Sequence, residues 1–370
     1  MGGVATALLT TYLSDYRLPL FALLAQREGV EVLCRGGAER YAPPWFADLD
    51  GQLARAPFPA RRLPPTAAAA FAVARDYDAV IAPFAGGSML PAAYLGARRY
   101  GRPFVLWASI WAQPRSLAHA AVLPLTRRIY RDADAVVAYG EHARRFIARS
   151  RGHDDDIFIA PQAVEPELFA RRVSDHERED FRARHDLGDG PLALYVGRLV
   201  PEKGVAVLLE AWRRAQPTAT LVMIGDGPLA PEARSRPGVR LLGPLPRPEL
   251  PVAYASAAMA VLASIPTPRF REPWGLVCNE AMHQGCPVLA STAVGAVAGG
   301  LVRHGESGWV VAAGDPDALA DGLTRVLGDA ALRERLGAAA RVAVAPYTPE
   351  AMADAFSKAL ALARARRTRG

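Results

Sequence analysis

Short apolar runs alternate along this chain with longer stretches whose apolar positions recur every three or four residues. In the first half, residues 5–10, 30–33, 79–82, 104–107, 135–138 and 157–160 read as buried strands. Residues 18–27, 90–100, 117–131 and 141–150 carry the helical period between them. Alternation of this kind predicts an α/β fold, a parallel sheet with helices on both faces. Residues 166–189 break the pattern. They are charged and weakly apolar, end in Gly188-Asp189-Gly190-Pro191, and read as an inter-domain connection. The alternation then restarts, with strands at 192–196, 220–224, 239–242, 258–262 and 287–290 and helices at 205–214, 315–327 and 330–341. Thr348-Pro349-Glu350 opens a last helix, with Thr as N-cap, Pro at the first position and an acid in the first turn.

The expectation is two doubly wound Rossmann-like domains, 1–165 and 190–347, joined by the connection 166–189 and followed by a helix and basic tail over 348–370. Ligands of such sheets bind outside the carboxyl ends of the strands, so two domains facing each other place the site in the cleft between them.

Composition narrows the function. At 370 residues, 51% hydrophobic and 22% charged, the chain is globular material of two or three domains. No apolar run approaches the ~18 residues of a membrane span, and the first residues lack the pattern of a secretory signal. Cys34, Cys278 and Cys286 fit neither a metal pattern nor a disulfide framework, which predicts a reducing, cytoplasmic compartment. The net charge of +7 is diffuse apart from Arg364, Arg366, Arg367 and Arg369. No basic stripe marks a nucleic-acid surface. The tail reads as solvated, with weak peripheral contact to the inner face of a membrane as the lesser reading.

Several strings mislead. Asp-x-Asp occurs at Asp48/Asp50, Asp132/Asp134, Asp154/Asp156 and Asp315/Asp317, which is too common to assign a metal, so no metal site is expected. Gly225-Asp226-Gly227 follows a strand as a dinucleotide turn would, but residue 230 is Ala where the third glycine belongs. No Gly-Lys-Ser/Thr string is present, so there is no P-loop.

Two constellations are stronger. Glu272 and Glu280 stand eight apart in Glu-Pro-Trp-Gly-Leu-Val-Cys-Asn-Glu-Ala-Met. Pro273 suits a helix start, with Gly285 as the stop and Glu272 in the loop ahead. Gly275, Leu276 and Val277 then offer backbone N–H groups at the positive helix end, and Gly275 has no Cβ to keep a ligand away. Glu280 lies about 7 Å further along the axis. One carboxylate at a sugar and one at a ribose fit that reach; an N-terminal acid and a solvent-facing Glu are the alternative. The other constellation is Leu194-Tyr-Val-Gly-Arg-Leu-Val-Pro-Glu-Lys-Gly204. A strand ends at Gly197, and Arg198 and Lys203 follow before a helix, as a diphosphate site requires. The chain holds 42 arginines and two lysines, Lys203 and Lys358, so an ammonium at 203 suggests a need for a compact point charge.

With Met223–Pro228, residues 239–243, 272–290 and 305–315, these stretches resemble, in order, the family-4 or group 1 retaining glycosyltransferases of GT-B fold. Pro161-Gln162-Ala163-Val164 with Phe169 is similar to the family's stretch before the connection, with Gln in place of the usual Asn. The resemblance implies a nucleotide-diphosphate sugar as donor, a uridine diphosphate sugar first, and no other cofactor. It implies an acceptor-binding N-terminal domain and a C-terminal helix returning to it. Arg198 and Lys203 match the residues that hold the diphosphate, and Glu272 the acid at the donor-sugar hydroxyls. Gly197 lies in the same loop, Gly275 to Val277 match amides at that sugar, and Glu280 the acid on the ribose. Leu242, Gly243 and Leu245 are expected near the base. The implied reaction is metal-independent transfer with retention to a hydroxyl of a lipid-linked glycan, a polysaccharide or a small natural product.

The N-terminal half departs from the family. Gly2-Gly3 precede the first strand, where many relatives have a Gly-Gly loop after it. The loop here is 12–17, and Arg17 has two readings: a residue that reaches a phosphate or the acceptor, and, the favoured one, a surface residue at a helix start. The His that many relatives carry after the strand at 104–107 is missing; Ala108-Ser-Ile-Trp111 stands there and the nearest His is His119. Trp107 and Trp111 read as stacking or packing residues. Gly86-Gly87-Ser88 reads as a phosphate-side loop, and His283 and His304 as packing or surface. The rival readings are a nucleotide-sugar epimerase of the same fold, a non-catalytic sugar-nucleotide-binding subunit, and a two-domain nicotinamide dehydrogenase.

Overall fold

The computed structural model describes residues 6–36, 48–84 and 87–368; Gly2, Gly3, Gly86 and Arg369 lie outside them. Its strands form two sheets, parallel throughout. The first holds β1 (Thr6–Thr10), β2 (Val30–Cys34), β3 (Ala60–Arg62), β4 (Ala79–Pro83), β5 (Phe104–Ala108), β6 (Ala135–Ala138) and β7 (Ile157–Ile159), in spatial order β3-β2-β1-β4-β5-β6-β7. The second holds β8 (Leu192–Val196), β9 (Thr220–Ile224), β10 (Val239–Gly243), β11 (Met259–Leu262), β12 (Val288–Ser291) and β13 (Trp309–Val311), in order β10-β9-β8-β11-β12-β13. Both are wound alike. The chain starts mid-sheet, steps out to one edge, then crosses back over its first strand. The winding reverses between β1 and β4 and between β8 and β11, the points where a crevice opens at the carboxyl ends of such sheets. The central strands are apolar on both faces because helices cover both.

Two units divide the chain: residues up to Ala163 together with Thr348 onward, and Val164–Tyr347. The helix Pro349–Thr368 belongs to the first unit, as expected of a returning C-terminal helix. Met352, Phe356 and Leu360 are buried in that unit's core, and Phe356 meets Trp107 edge-on at 5.1 Å. Thr348 caps the helix, its Oγ1 accepting from the Ala351 N–H at 3.2 Å.

The tail arginines, expected to be free in solvent, are partly exposed but ion-paired. Arg364 pairs with Glu28 at 3.0 Å, Arg366 with Asp156 at 2.6 Å and Arg367 with Asp134 at 3.0 Å. The helix runs on to Thr368, which carries these arginines to the acid that ends the helix Leu18–Glu28 and to the acids of the loops after residues 132 and 151. No helix among the described residues is long and apolar enough to cross a membrane. The Asp-x-Asp strings have structural duties too. Asp48 and Asp315 cap helices, Asp50 pairs with Arg62, and Asp132 accepts from Tyr94 and Arg128.

Residues 166–189, expected as a connection, carry the helices Pro166–Phe169 and Asp175–Arg184 and fold with the second unit. Ser174 and Glu177 close a capping box that starts the longer one despite its charged sequence. The alanine run 67–70 opens the helix Ala67–Asp76, with Thr66 as N-cap. The helix expected from Pro273 begins instead at Val277 and ends at His283; Glu272 forms a parallel bridge to Val294, and the chain bends at Pro273 before the helix.

Candidate active site

The second unit brings most of the expected residues to the ends of β8 and β11. The β8 chain leaves the sheet at Gly197 and Arg198. The loop after β9 packs directly onto it: a Cβ on Gly225 would fall 2.0 Å from the Gly197 carbonyl oxygen, and one on Gly227 2.6 Å from that of Leu199. Leu199 N–H donates to the Asp226 carbonyl at 2.8 Å, and Gly197 N–H to that of Ile224 at 2.9 Å. The Gly-Asp-Gly string is thus a packing device that fixes the loop carrying Arg198. From inside, Tyr195 donates its hydroxyl to the Arg198 carbonyl at 2.6 Å. The Arg198 side chain is half-buried and has no ion-pair partner within 4.0 Å among the described residues.

Five residues on, Lys203 ends a short 3-10 turn, and its ammonium is ion-paired with Glu272. Glu272 is buried, and its carboxylate also accepts from Ser264 Oγ at 3.0 Å. Ser264 stands two residues past β11, so the pair bridges the neighbouring strands at the winding reversal. Gly204 sets the spacing. At φ +69° it starts the helix Val205–Ala215, and a Cβ there would lie 1.9 Å from the Ala263 carbonyl oxygen. Ile265 N–H donates to the Glu202 carbonyl at 3.0 Å and ties the same two loops again. The Phe270 ring lies 5.9 Å from the Lys203 ammonium.

Gly275 takes φ +93°, packed between Leu262 and Val294. It leads through Leu276, the N-cap, into the helix at Val277. Glu280 is half-buried and accepts from the Tyr254 hydroxyl at 2.7 Å, so it is not a solvent-facing helix residue. Burial holds its carboxyl above the usual glutamate value; the Tyr254 bond and the nearby Arg247 charge pull the other way. Arg247 itself forks onto Glu165 at 2.9 and 2.7 Å. Cys278 lies between the two carboxylates: burial pushes its thiol up, and Glu272 and Glu280 push it further. Leu242, Gly243 and Leu245 end the edge strand β10 and the turn leading to Arg247. Gly243 accepts from the Gly225 N–H at 2.9 Å, so these residues join the same row of loops.

Ser264, Tyr254, Arg247 and Glu165 escaped sequence reasoning. Ser264 was discoverable as the polar residue just past the strand beside β8. The other three act through contacts between distant segments and leave no local signal.

Comparison with known proteins matches residues 21–168 to the model of Glycosyltransferase Family 4 and 177–343 to that of Glycosyl transferases group 1. The GDP-mannose-dependent alpha-(1-6)-phosphatidylinositol monomannoside mannosyltransferase of Mycolicibacterium smegmatis is 32% identical over 58% of this chain and 58% of its own length. The D-inositol 3-phosphate glycosyltransferase of Stackebrandtia nassauensis is 30% identical over 71% of this chain and 63% of its own length. The chain thus spans about three fifths of the curated relatives it matches. Among solved structures, HepE of Anabaena in complex with UDP and glucose superposes with a TM-score of 0.77 at 19% identity, covering 97% of this chain and 99% of that one. The sucrose-phosphate synthase of Thermosynechococcus elongatus does so with 0.75 at 21%, covering 98% and 99%.

Proposed function

The chain belongs to the group 1 glycosyl transferases, with their two-domain GT-B fold, and on that premise we propose that it moves a sugar from a nucleotide-diphosphate sugar to an acceptor hydroxyl, retaining the anomeric configuration and using no metal. The observation that carries this reading is the pairing of an uncompensated cation, Arg198, with the Lys203–Glu272–Ser264 cluster at the winding reversal of the second sheet. In this reading Arg198 and Lys203 hold the diphosphate. Lys203 keeps donors for it after bonding Glu272, since an ammonium carries three. Glu272, oriented by Lys203 and Ser264, takes the hydroxyls of the donor sugar, with the amides of Gly275, Leu276 and Val277 beside it. Glu280, held by Tyr254, takes the ribose hydroxyls, and Leu242 to Leu245 flank the base.

The chemistry asks for little beyond charge stabilisation. The bond from the sugar's anomeric carbon to the β-phosphate oxygen breaks, and a bond to the acceptor oxygen forms on the same face. The hydroxyl proton passes to the departing phosphate, whose growing negative charge falls on preorganised cations. A uridine or guanosine diphosphate sugar is the donor to try first. HepE was solved with UDP, and the mannosyltransferase relative is named for GDP-mannose.

The test is thermal denaturation with uridine, guanosine, thymidine and adenosine diphosphates and their sugars in excess EDTA, followed by anomer analysis of the product. The expected result is a rise in melting temperature for one base family that Arg198→Gln removes. A rise that depends on added divalent metal overturns the metal-independent reading. Binding without transfer to any hydroxyl favours a non-catalytic binder.

A further inference from the structure

We propose that the first unit carries its own oxyanion site, in which the guanidinium of Arg17 holds a phosphate or carboxylate group of a substrate. Arg17 is not the surface residue its place at a helix start suggests: it is only 8% exposed. Its Nη2 donates to the Tyr139 hydroxyl at 2.5 Å and to Gln162 Oε1 at 3.1 Å. The guanidinium lies over the Trp107 ring, 4.3 Å from its centroid, with Tyr16 and Tyr139 rings each at 5.2 Å. All of these partners are neutral. No carboxylate lies within 4.0 Å of it among the described residues.

The same unit shows how a structural buried arginine is treated. The Arg151 side chain, 1% exposed, is paired with the fully buried Asp156 and donates to the Ala133 carbonyl at 3.0 Å. Arg98 is paired with Asp134 at 3.2 Å. A buried cation left without a counter-charge is expensive, and Arg17 carries that cost in the ligand-free protein. Trp107 adds an unsatisfied donor: its indole N–H is buried without a partner among the described residues. The helix Leu18–Glu28 starts at the next residue as a continuation of the 3-10 turn Asp15–Arg17, which fixes the Arg17 backbone. These groups meet at the carboxyl ends of β1, β5, β6 and β7, the ligand-binding edge of such a sheet. A buried cation with no carboxylate in reach and an unpartnered indole N–H on the ring beneath it call for an anion.

The anion has two sources, a charged group on the acceptor or the diphosphate of the donor. Assigning it to a substrate rests on the transferase reading; the binding itself does not. The experiment uses the full chain labelled with 15N at the tryptophan indoles, titrated with inorganic phosphate against chloride at matched ionic strength, with Trp107→Phe identifying the Trp107 resonance. The expected result is a saturable shift of that resonance. It persists in Arg198→Gln, is lost in Arg17→Gln, and in Arg17→Lys needs about tenfold more phosphate. No saturable shift in the wild type, an unchanged titration in Arg17→Gln, or loss of the shift in Arg198→Gln overturns the site. If Arg17→Gln fails to fold, an unchanged midpoint in Arg17→Lys overturns it and a weakened one supports it. Repeating the titration with saturating UDP separates the sources: a silenced phosphate response assigns the site to the donor diphosphate, and a retained one to the acceptor. UDP binding lost with Arg198→Gln tests the second unit independently.

Discussion

Lys203 and Glu272 stand 69 positions apart and form an ion pair at the winding reversal of the second sheet, the carboxylate also held by Ser264. The pair is mostly buried, with side-chain exposures of 21% and 7%. Removing one partner strands the other's charge, whereas neutralising both does not. Lys203→Met is therefore expected to lower stability by about 1–3 kcal/mol, and Lys203→Met/Glu272→Gln to restore at least half of it. Transfer falls at least about 100-fold in both. Urea melts with initial rates of nucleoside diphosphate release check this, and a double variant no more stable than the single sinks the coupling.

Glu280 gives a prediction in pH. Its carboxyl is held above the ordinary 4.5 of glutamate by burial, so the folded protein binds its proton more tightly than the unfolded chain does. The stability this contributes is present below pH 4.5 and is lost as pH rises through the folded value. Glu280→Gln is therefore expected to melt above wild type at pH 7–8, with the gain vanishing towards pH 4.5, while binding nucleoside diphosphate more weakly. Melting curves across this range decide it; a destabilised variant at pH 8 overturns the account.

Gly204 leaves no room for a side chain. Its φ of +69° and the 1.9 Å approach to the Ala263 carbonyl mean that Gly204→Ala must push the two loops apart. A loss of about 2–4 kcal/mol follows from strain and clash together. Since the same loops position Lys203 and Ser264, nucleotide binding should weaken more than the stability loss alone explains. Titration at a temperature where the variant is fully folded separates the two effects.

Asp156 is a fully enclosed acid of the first unit, accepting from Arg151 Nε at 3.0 Å and Arg366 Nη1 at 2.6 Å. Asp156→Asn strands the Arg151 charge and is expected to cost about 3–5 kcal/mol. Arg366→Gln should cost less, because Arg151 still compensates the acid. Equal losses in the two variants contradict this ranking.

Most of the fold was legible because it is written locally. Runs such as 192–196 and 220–224 coincide with β8 and β9, and Thr348-Pro349 starts its helix where the cap rules put it. The short edge strands β3 and β13, three residues each, had too little pattern to read. At the site, the identities of Arg198, Lys203, Glu272 and Glu280 were legible and their relations were not. Glu272 lies ahead of the helix as expected but bridges to Val294, the helix starts at Val277 instead of Pro273, and Glu280 is held by Tyr254. The favoured surface reading of Arg17 failed for the same reason: nothing near it in the chain announces Trp107, Tyr139 and Gln162.

The helix Pro349–Thr368 is made after the whole of Val164–Tyr347 yet completes the core of the first unit. On the ribosome, the second unit can therefore finish folding before the first. Until residues 349–368 emerge, Trp107 lacks Phe356, Glu28 lacks Arg364, and Asp134 and Asp156 have only Arg98 and Arg151 to compensate them. The second unit is in effect an insertion within the first, so a chain cut short before residue 349 carries a finished second unit beside an unfinished first one.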